Sequence, residues 1–274
     1  MKTARISTGE MAYLDHGVGQ PVQLVHGFPL DHTMWNDQIA ALTPHVRVIA
    51  PDLRGFGRSP LGPIDAENGI TMERYADDLA ELLDALQIGP DQPIVFAGLS
   101  MGGYIAWQFV RKHAARLRAL VLLDTRALAD TEEARAGRIK MAEKVAEWGS
   151  ARVAEMMGPK LAAPSTHESK PEVVSSLRRV VVDTSPAVIA AAQRGLAARP
   201  DVTSMLPKIA VPTLVIVGDQ DVISPPDEMK HIAQAIPGAK LVVIPNSGHM
   251  TTMENPAAVN KAMQDFITHL ARGH

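Results

Sequence analysis

The stretch IVFAGLSMGGYIAWQFV, residues 94–110, decides the fold: a compact apolar run passes through Gly98-Leu99-Ser100-Met101-Gly102 into a pattern with helical spacing. A short β-branched and aromatic run that ends at glycine reads as a strand buried on both faces, and the residues after Gly102 repeat their apolar positions as a helix does. The chain must therefore turn sharply at Ser100. A serine flanked at two residues on either side by glycine fits a turn with no room for β-carbons there, the G-x-S-x-G nucleophile elbow. Such a turn lifts the Ser100 hydroxyl above the carboxyl end of the strand. It sits at a helix start, where free N–H groups and the helix dipole favour negative charge. The Met101 N–H is then a candidate donor to an oxyanion. Alone, the five residues suit an inert serine in a glycine-rich turn equally well, so the rest of the chain must decide.

On either side of this segment the same kind of run recurs. VQLVHG, VRVIAPD, ALVLLDT, TLVIVGD and KLVVIPN are β-branched and end in Gly, Asp, Pro or Asn, as parallel strands buried on both faces do. Helical patterns lie between them, clearest in MERYADDLAELLDALQI and GGYIAWQFVRKHAARL. This alternation predicts a doubly wound α/β sheet. Two earlier runs, TARIS and MAYLD, are separated by Ser7-Thr8-Gly9-Glu10 and predict an antiparallel hairpin at the sheet edge. Asn255 is a natural N-cap with Pro256 after it, opening a last amphipathic helix through Val259, Met263, Phe266 and Leu270. The alternation breaks once. Residues 127–205 hold helical stretches rich in Ala, Glu, Lys and Met, with RRVVVDT as an ambiguous strand-like run. We expect a helical cap there, inserted into a core of residues 1–126 and 206–274, because such a piece is too small for a large core of its own.

Composition narrows the chemistry. The 274 residues are 46% hydrophobic and 21% charged, with a formal net charge of −3 and no cysteine. The absence of cysteine rules out a thiol nucleophile, a thiolate metal site and a disulfide framework, and it suits a reducing compartment. No basic stripe offers the electrostatic footprint of nucleic acid or an anionic membrane, so neither is an expected partner. No signal-like or membrane-spanning run is evident, and the expected location is cytoplasmic.

A serine hydroxyl is a poor nucleophile near neutral pH, so it needs a base whose tautomer is fixed by a third group. Of ten histidines, His249 alone lies directly after an apolar strand and before the last helix, in VVIPNSGHMTTMENP. One strand earlier, LVIVGDQDVISPP offers Asp219 and Asp221. Asp221 is preferred because it sits farther over the edge, whereas Asp219 follows Gly218 and suits a turn. Asp124, ending ALVLLD, is a reserve acid on the same edge. A second oxyanion donor is expected from the LVHGFPLDHTMW loop at the Phe28 N–H, where Gly27 permits close approach and Pro29 stiffens the chain. His26 and His32 match no H-E-x-x-H or clustered ligand spacing, so neither a metal nor another cofactor is expected.

The HGFP loop, DLRGFGRS at residues 52–59, GLSMGG, PTLVIVGDQD and SGH together resemble the α/β-hydrolase superfamily, and these motifs run from residue 26 to 249. Within it the chain resembles the lidded group of carboxylesterases, 3-oxoadipate enol-lactonases, carbon–carbon bond hydrolases and cofactor-free haloperoxidases. GLSMGG and AARPDVTSMLPKIAVPTLVIVG lean toward the esterase and lactonase side. The resemblance implies an eight-stranded, mostly parallel sheet with a cap after the sixth strand. It also implies nucleophile, acid and base roles for Ser100, Asp221 and His249 in that chain order, with oxyanion donors at Phe28 and Met101. Relatives that open epoxides or remove halide carry Asp at the elbow, so Ser100 argues against both activities. DLRGFGRS reads as a structural turn.

The expected activity is hydrolysis of a carboxylic ester or lactone of a small to medium, largely neutral acyl compound through an acyl-enzyme. Rival readings are a carbon–carbon bond hydrolase, a perhydrolase or haloperoxidase with the same triad, and a ligand-binding module that does not turn over. Trp35, Trp148, Met156 and Met157 are candidate pocket residues, alongside the Met101 side chain.

Overall fold

The computed structural model describes residues 1–272. Its eight strands are β1 (Lys2–Ile6), β2 (Gly9–His16), β3 (Pro21–Val25), β4 (Arg47–Pro51), β5 (Ile94–Leu99), β6 (Leu117–Leu123), β7 (Thr213–Gly218) and β8 (Lys240–Ile244). They form one sheet in the order β1-β2-β4-β3-β5-β6-β7-β8. β1 and β2 make the edge hairpin, β2 is antiparallel to β4, and all other neighbours are parallel. The chain leaves β3 toward β4 and returns to the other side of β3 as β5. The crevice outside the carboxyl ends of β3 and β5 is thus a topological switch point, where α/β sheets bind ligands.

The helices are α1 (Asn36–Leu42) after β3, α2 (Pro63–Asn68) and α3 (Met72–Ala85) after β4, and α4 (Met101–His113) after β5. Then come α5 (Glu132–Leu161), α6 (Pro164–Ser169), α7 (Pro171–Asp183) and α8 (Pro186–Ala197) between β6 and β7, α9 (Pro226–Ala235) after β7, and α10 (Thr251–Glu254) and α11 (Pro256–Arg272) after β8. In β3, β5 and β7 every residue is buried. Each buried Val, Ile, Leu or Phe there is worth about 1.5–3 kcal/mol, so the central strands are the rigid frame. α3 packs on α4, and α11 packs on α1. The Asn255 side chain accepts the Ala258 N–H at 3.3 Å, and α11 buries Val259, Met263 and Phe266 as the periodicity predicts.

One ambiguous run resolves, and one local expectation fails. RRVVVD is the second half of α7, not a strand: Leu177 and Val181, four apart, are its buried residues, and burial of a helical stripe overrides β-branched propensity. β8 is not buried on both faces. As the edge strand it leaves Leu241 and Val242 half-buried and Val243 47% exposed.

The insertion between β6 and β7 is tied at its neck by the Val202 N–H, which donates to the Ala127 carbonyl at 2.9 Å. α5 packs against both α7 and α8, and it breaks at Gly149 (φ 74°), a left-handed conformation that glycine adopts without steric cost. Among the described residues no helix is long and apolar enough to cross a membrane.

Candidate active site

The glycines around Ser100 are required by close backbone approaches. A β-carbon on Gly98 would lie 2.4 Å from the Gly102 carbonyl group, one on Gly102 2.3 Å from the Val25 carbonyl oxygen, and one on Gly103 2.3 Å from Thr125 Oγ1. Ser100 itself has φ 53° and ψ −110°. Such a non-glycine residue costs about 1–3 kcal/mol and persists only where its surroundings over-determine it. Here its N–H donates to the Leu123 carbonyl at 2.9 Å, and its carbonyl accepts Gly103 N–H at 2.9 Å and Thr125 Oγ1 at 2.8 Å.

The loop after β8 brings the imidazole to the hydroxyl. His249 Nε2 lies 2.8 Å from Ser100 Oγ, and Nδ1 lies 2.8 Å from Asp221 Oδ2. With the Nδ1 proton donated to Asp221, Nε2 is the acceptor for the serine O–H. His249 is 3% exposed and the Asp221 carboxylate is fully buried. Asp221 Oδ1 accepts Ile223 N–H at 2.7 Å and Ser224 N–H at 3.0 Å, which fixes the carboxylate and leaves Oδ2 for the imidazole. Asp219 does other work: its Oδ1 accepts Ser247 N–H at 3.1 Å and anchors the start of the histidine loop.

The loop after β3 packs against the elbow, since a β-carbon on Gly27 would lie 3.2 Å from the Leu99 carbonyl oxygen and 3.4 Å from Ser100 Cβ. Among the described residues, neither the Phe28 N–H nor the Met101 N–H has an acceptor within the protein. Both are unpaired backbone donors, one next to Ser100 and the other in the loop packed on the elbow. His26 pins this loop: its Nε2 accepts the Leu53 N–H at 2.9 Å and Nδ1 donates to the Gly27 carbonyl at 2.9 Å. Burial pushes the His26 pKa down, so the ring is a neutral structural link.

Other expected residues fall elsewhere. Asp124 directly follows β6 at φ 45°, where Oδ1 accepts Gly218 N–H at 2.9 Å and Oδ2 accepts the Thr251 hydroxyl; it makes no hydrogen bond to His249. Burial, with Asp221 nearby, raises its pKa well above the usual carboxylate range. Trp35 has no accessible surface and belongs to the core, so it does not line a cavity, contrary to expectation. Met101 is equally buried, with no exposed side chain. Trp148 and Met157 are half-buried on α5, on either side of the Gly149 break, and Met156 is 42% exposed. Core and insertion also meet at a cavity of about 220 Å³, lined by Leu30, Met34, Leu177, Val180 and Met253 together with the charged Asp37, Glu172 and Arg179; Ser100 and His249 do not line it. Spacing alone held no clue to that lining, which depends on how α7 docks.

DLRGFGRS is a braced turn. Asp52 accepts the His32 and Arg58 N–H groups at 3.0 and 2.9 Å, and a β-carbon on Gly57 would lie 2.4 Å from its carboxyl. The fold also brings Asp31, His32 and Asp52 together with ligand atoms within 4.8 Å, a grouping absent from linear spacing because Asp52 arrives directly after β4. His32 Nδ1 donates to Asp52 Oδ1 at 2.6 Å, and Asp31 Oδ1 is held by the Thr33 N–H and hydroxyl. Burial lowers the His32 pKa, but the hydrogen bond to Asp52 and the Asp52 and Asp31 charges together outweigh it, and the net direction is up.

A family model described as the alpha/beta hydrolase fold matches residues 20–256. Among solved structures, the chain is similar to a thermophilic esterase from Thermogutta terrifontis, at 45% identity over 98% of this chain and 99% of that one, with a TM-score of 0.94. It is also similar to the enol-lactonase from Burkholderia xenovorans LB400, at 30% identity over 97% of this chain and 100% of that one, with a TM-score of 0.87. The 3-oxoadipate enol-lactonase 2 of Acinetobacter baylyi is 30% identical over 85% of this chain and 82% of its own length.

Proposed function

Because this chain belongs to the α/β-hydrolase fold family, we propose that it is a serine hydrolase cleaving carboxylic esters or lactones through an acyl-enzyme. One observation carries the reading: Ser100 Oγ, His249 and Asp221 form an unbroken hydrogen-bonded series, with both links at 2.8 Å. Its likeness to an esterase and to enol-lactonases supports the substrate class.

In this mechanism His249 Nε2 takes the Ser100 proton as Oγ attacks the carbonyl carbon, and Asp221 stabilises the imidazolium. The resulting oxyanion is bound by the Phe28 and Met101 N–H groups, each worth about 3 kcal/mol in the transition state. Collapse gives the acyl-enzyme, and the leaving alkoxide takes the proton from His249. Water then gives a proton to His249 and attacks the acyl carbon; the acid departs and Ser100 recovers its proton. Residues 127–205 act as a cap over the switch-point crevice. Arg126, two residues past Asp124, pairs with Glu228, and Arg199 with Asp130. We take the acyl group to be small to medium and largely neutral, since the sequence holds no basic cluster that would recognise a multiply charged acid.

Ser100→Ala tests the proposal. Hydrolysis of p-nitrophenyl acetate and butyrate should fall to near background, with the far-ultraviolet circular dichroism spectrum unchanged; wild-type turnover would refute it. A panel of esters, lactones, vinylogous diketones and acetate with peroxide then separates ester or lactone cleavage from carbon–carbon bond cleavage and peracid formation.

A further inference from the structure

Glu254 is fully buried at the end of α10 and takes no part in the relay. Its two carboxylate oxygens serve different parts of the molecule. Oε1 accepts the Gly248 N–H at 2.9 Å and the Met250 N–H at 3.0 Å, the amides immediately before and after His249. Oε2 accepts the Ala163 N–H and the Thr166 hydroxyl, both at 2.7 Å, from the start of α6 in the insertion. A carboxylate offers about four lone-pair sites, and protein donors occupy that full complement. A second contact points the same way. A β-carbon on Gly248 would lie 2.6 Å from Ala163 N and 2.9 Å from Ala162 C, so the histidine loop and the insertion meet backbone to backbone. The Lys170 ammonium also donates to the Glu254 carbonyl.

We propose that Glu254 is a positioning residue for His249: its carboxylate clamps the two amides that flank the imidazole and ties them to the Ala163–Thr166 segment of the cap. Placement of the base then depends on seating of the cap. The kinetic consequence rests on the serine-hydrolase reading; the geometric one does not. Gln at 254 turns one oxygen into an NH2 group, which opposes either the two loop amides or the Ala163 N–H. Either orientation breaks the tie. Small misplacements of a catalytic group are costly, on the order of 100-fold for 1 Å.

The test is Glu254→Gln, read by steady-state kinetics on p-nitrophenyl acetate and by the low-field proton resonance of His249 Nδ1–H. We expect kcat to fall roughly 10- to 100-fold with KM little changed, and the resonance to shift or broaden. An unmoved resonance overturns the proposal, whatever the turnover. If Glu254→Gln does not fold, Thr166→Val and Thr166→Ser decide. Thr166→Val should move the resonance and lower kcat several-fold, and Thr166→Ser should restore both; a wild-type resonance in Thr166→Val overturns the proposal. Should Ser100→Ala keep its turnover, the serine mechanism fails while the resonance still reports on the clamp.

Discussion

The ends of β6 and β7 each carry a buried carboxyl group, one strand apart, and their surroundings turn them to different ends. Asp124 directly follows β6, where its carboxyl reaches sideways to the Gly218 N–H and the Thr251 hydroxyl. Asp221 lies three residues beyond β7, over the sheet edge, with one oxygen held by two amides and the other facing His249. Ser224 joins them: its N–H donates to Asp221 Oδ1 and its hydroxyl to the Asp124 carbonyl at 3.0 Å. Burial, and after it the neighbouring Asp221 charge, raises the Asp124 pKa well above the usual carboxylate range. Reach past the strand end, not burial, decides which acid serves the imidazole.

The largest expected effect separates the pair most sharply. Asp221→Asn should lower kcat/KM by about 10³- to 10⁴-fold, because the amide holds the imidazole in the wrong tautomer. Steady-state kinetics check this, and near-normal turnover, or a larger loss in Asp124→Asn, would show that Asp221 does not hold the imidazole. Next is Gly218→Ala, at the tip of β7, where the new methyl would sit 2.2 Å from the Gly248 carbonyl oxygen and 2.3 Å from that of Ser247. Backbone cannot yield cheaply there. The histidine loop should shift, costing on the order of 100-fold in kcat and about 1–3 kcal/mol of stability, read by kinetics and thermal unfolding. Normal kcat would show that the β7 tip does not set the base.

The smallest effect is Asp124→Asn. Asn presents Oδ1 to the Gly218 N–H and Nδ2 to the Thr251 oxygen, so kcat should stay within about threefold of wild type. Stability carries a sign. A carboxyl whose folded pKa is raised contributes stability that is full below its unfolded value, about 3.9, and is lost as pH rises through the folded value. Asn does not titrate. Thermal scans should therefore show the variant gaining on wild type as pH rises above about 4, and a pH-independent difference would contradict the assignment.

Much of this edge was legible because backbone rules wrote it. Gly98 and Gly102 mark approaches that exclude a β-carbon, the β1–β2 hairpin follows its turn residues, and Asn255 caps α11 as its position before Pro256 suggests. The choice of Asp221 over Asp219 followed from distance past Gly218, and the geometry gives them separate partners. What was not legible depends on docking between distant segments. Trp35 looked like a pocket residue but is sealed in the core, and RRVVVD became helix because Leu177 and Val181 bury one face. Glu254 gave no signal, since its donors at Ala163 and Thr166 come from an insertion whose seating only the fold defines.

The whole mechanism depends on Ser100 being a nucleophile activated by His249 and Asp221. Intact-protein and peptide mass spectrometry after treatment with a fluorophosphonate tests it most directly. A single stoichiometric adduct on the peptide bearing Ser100, abolished in Ser100→Ala and slowed by orders of magnitude in Asp221→Asn, is expected. No adduct in the wild-type protein, or one on a different residue, would contradict it.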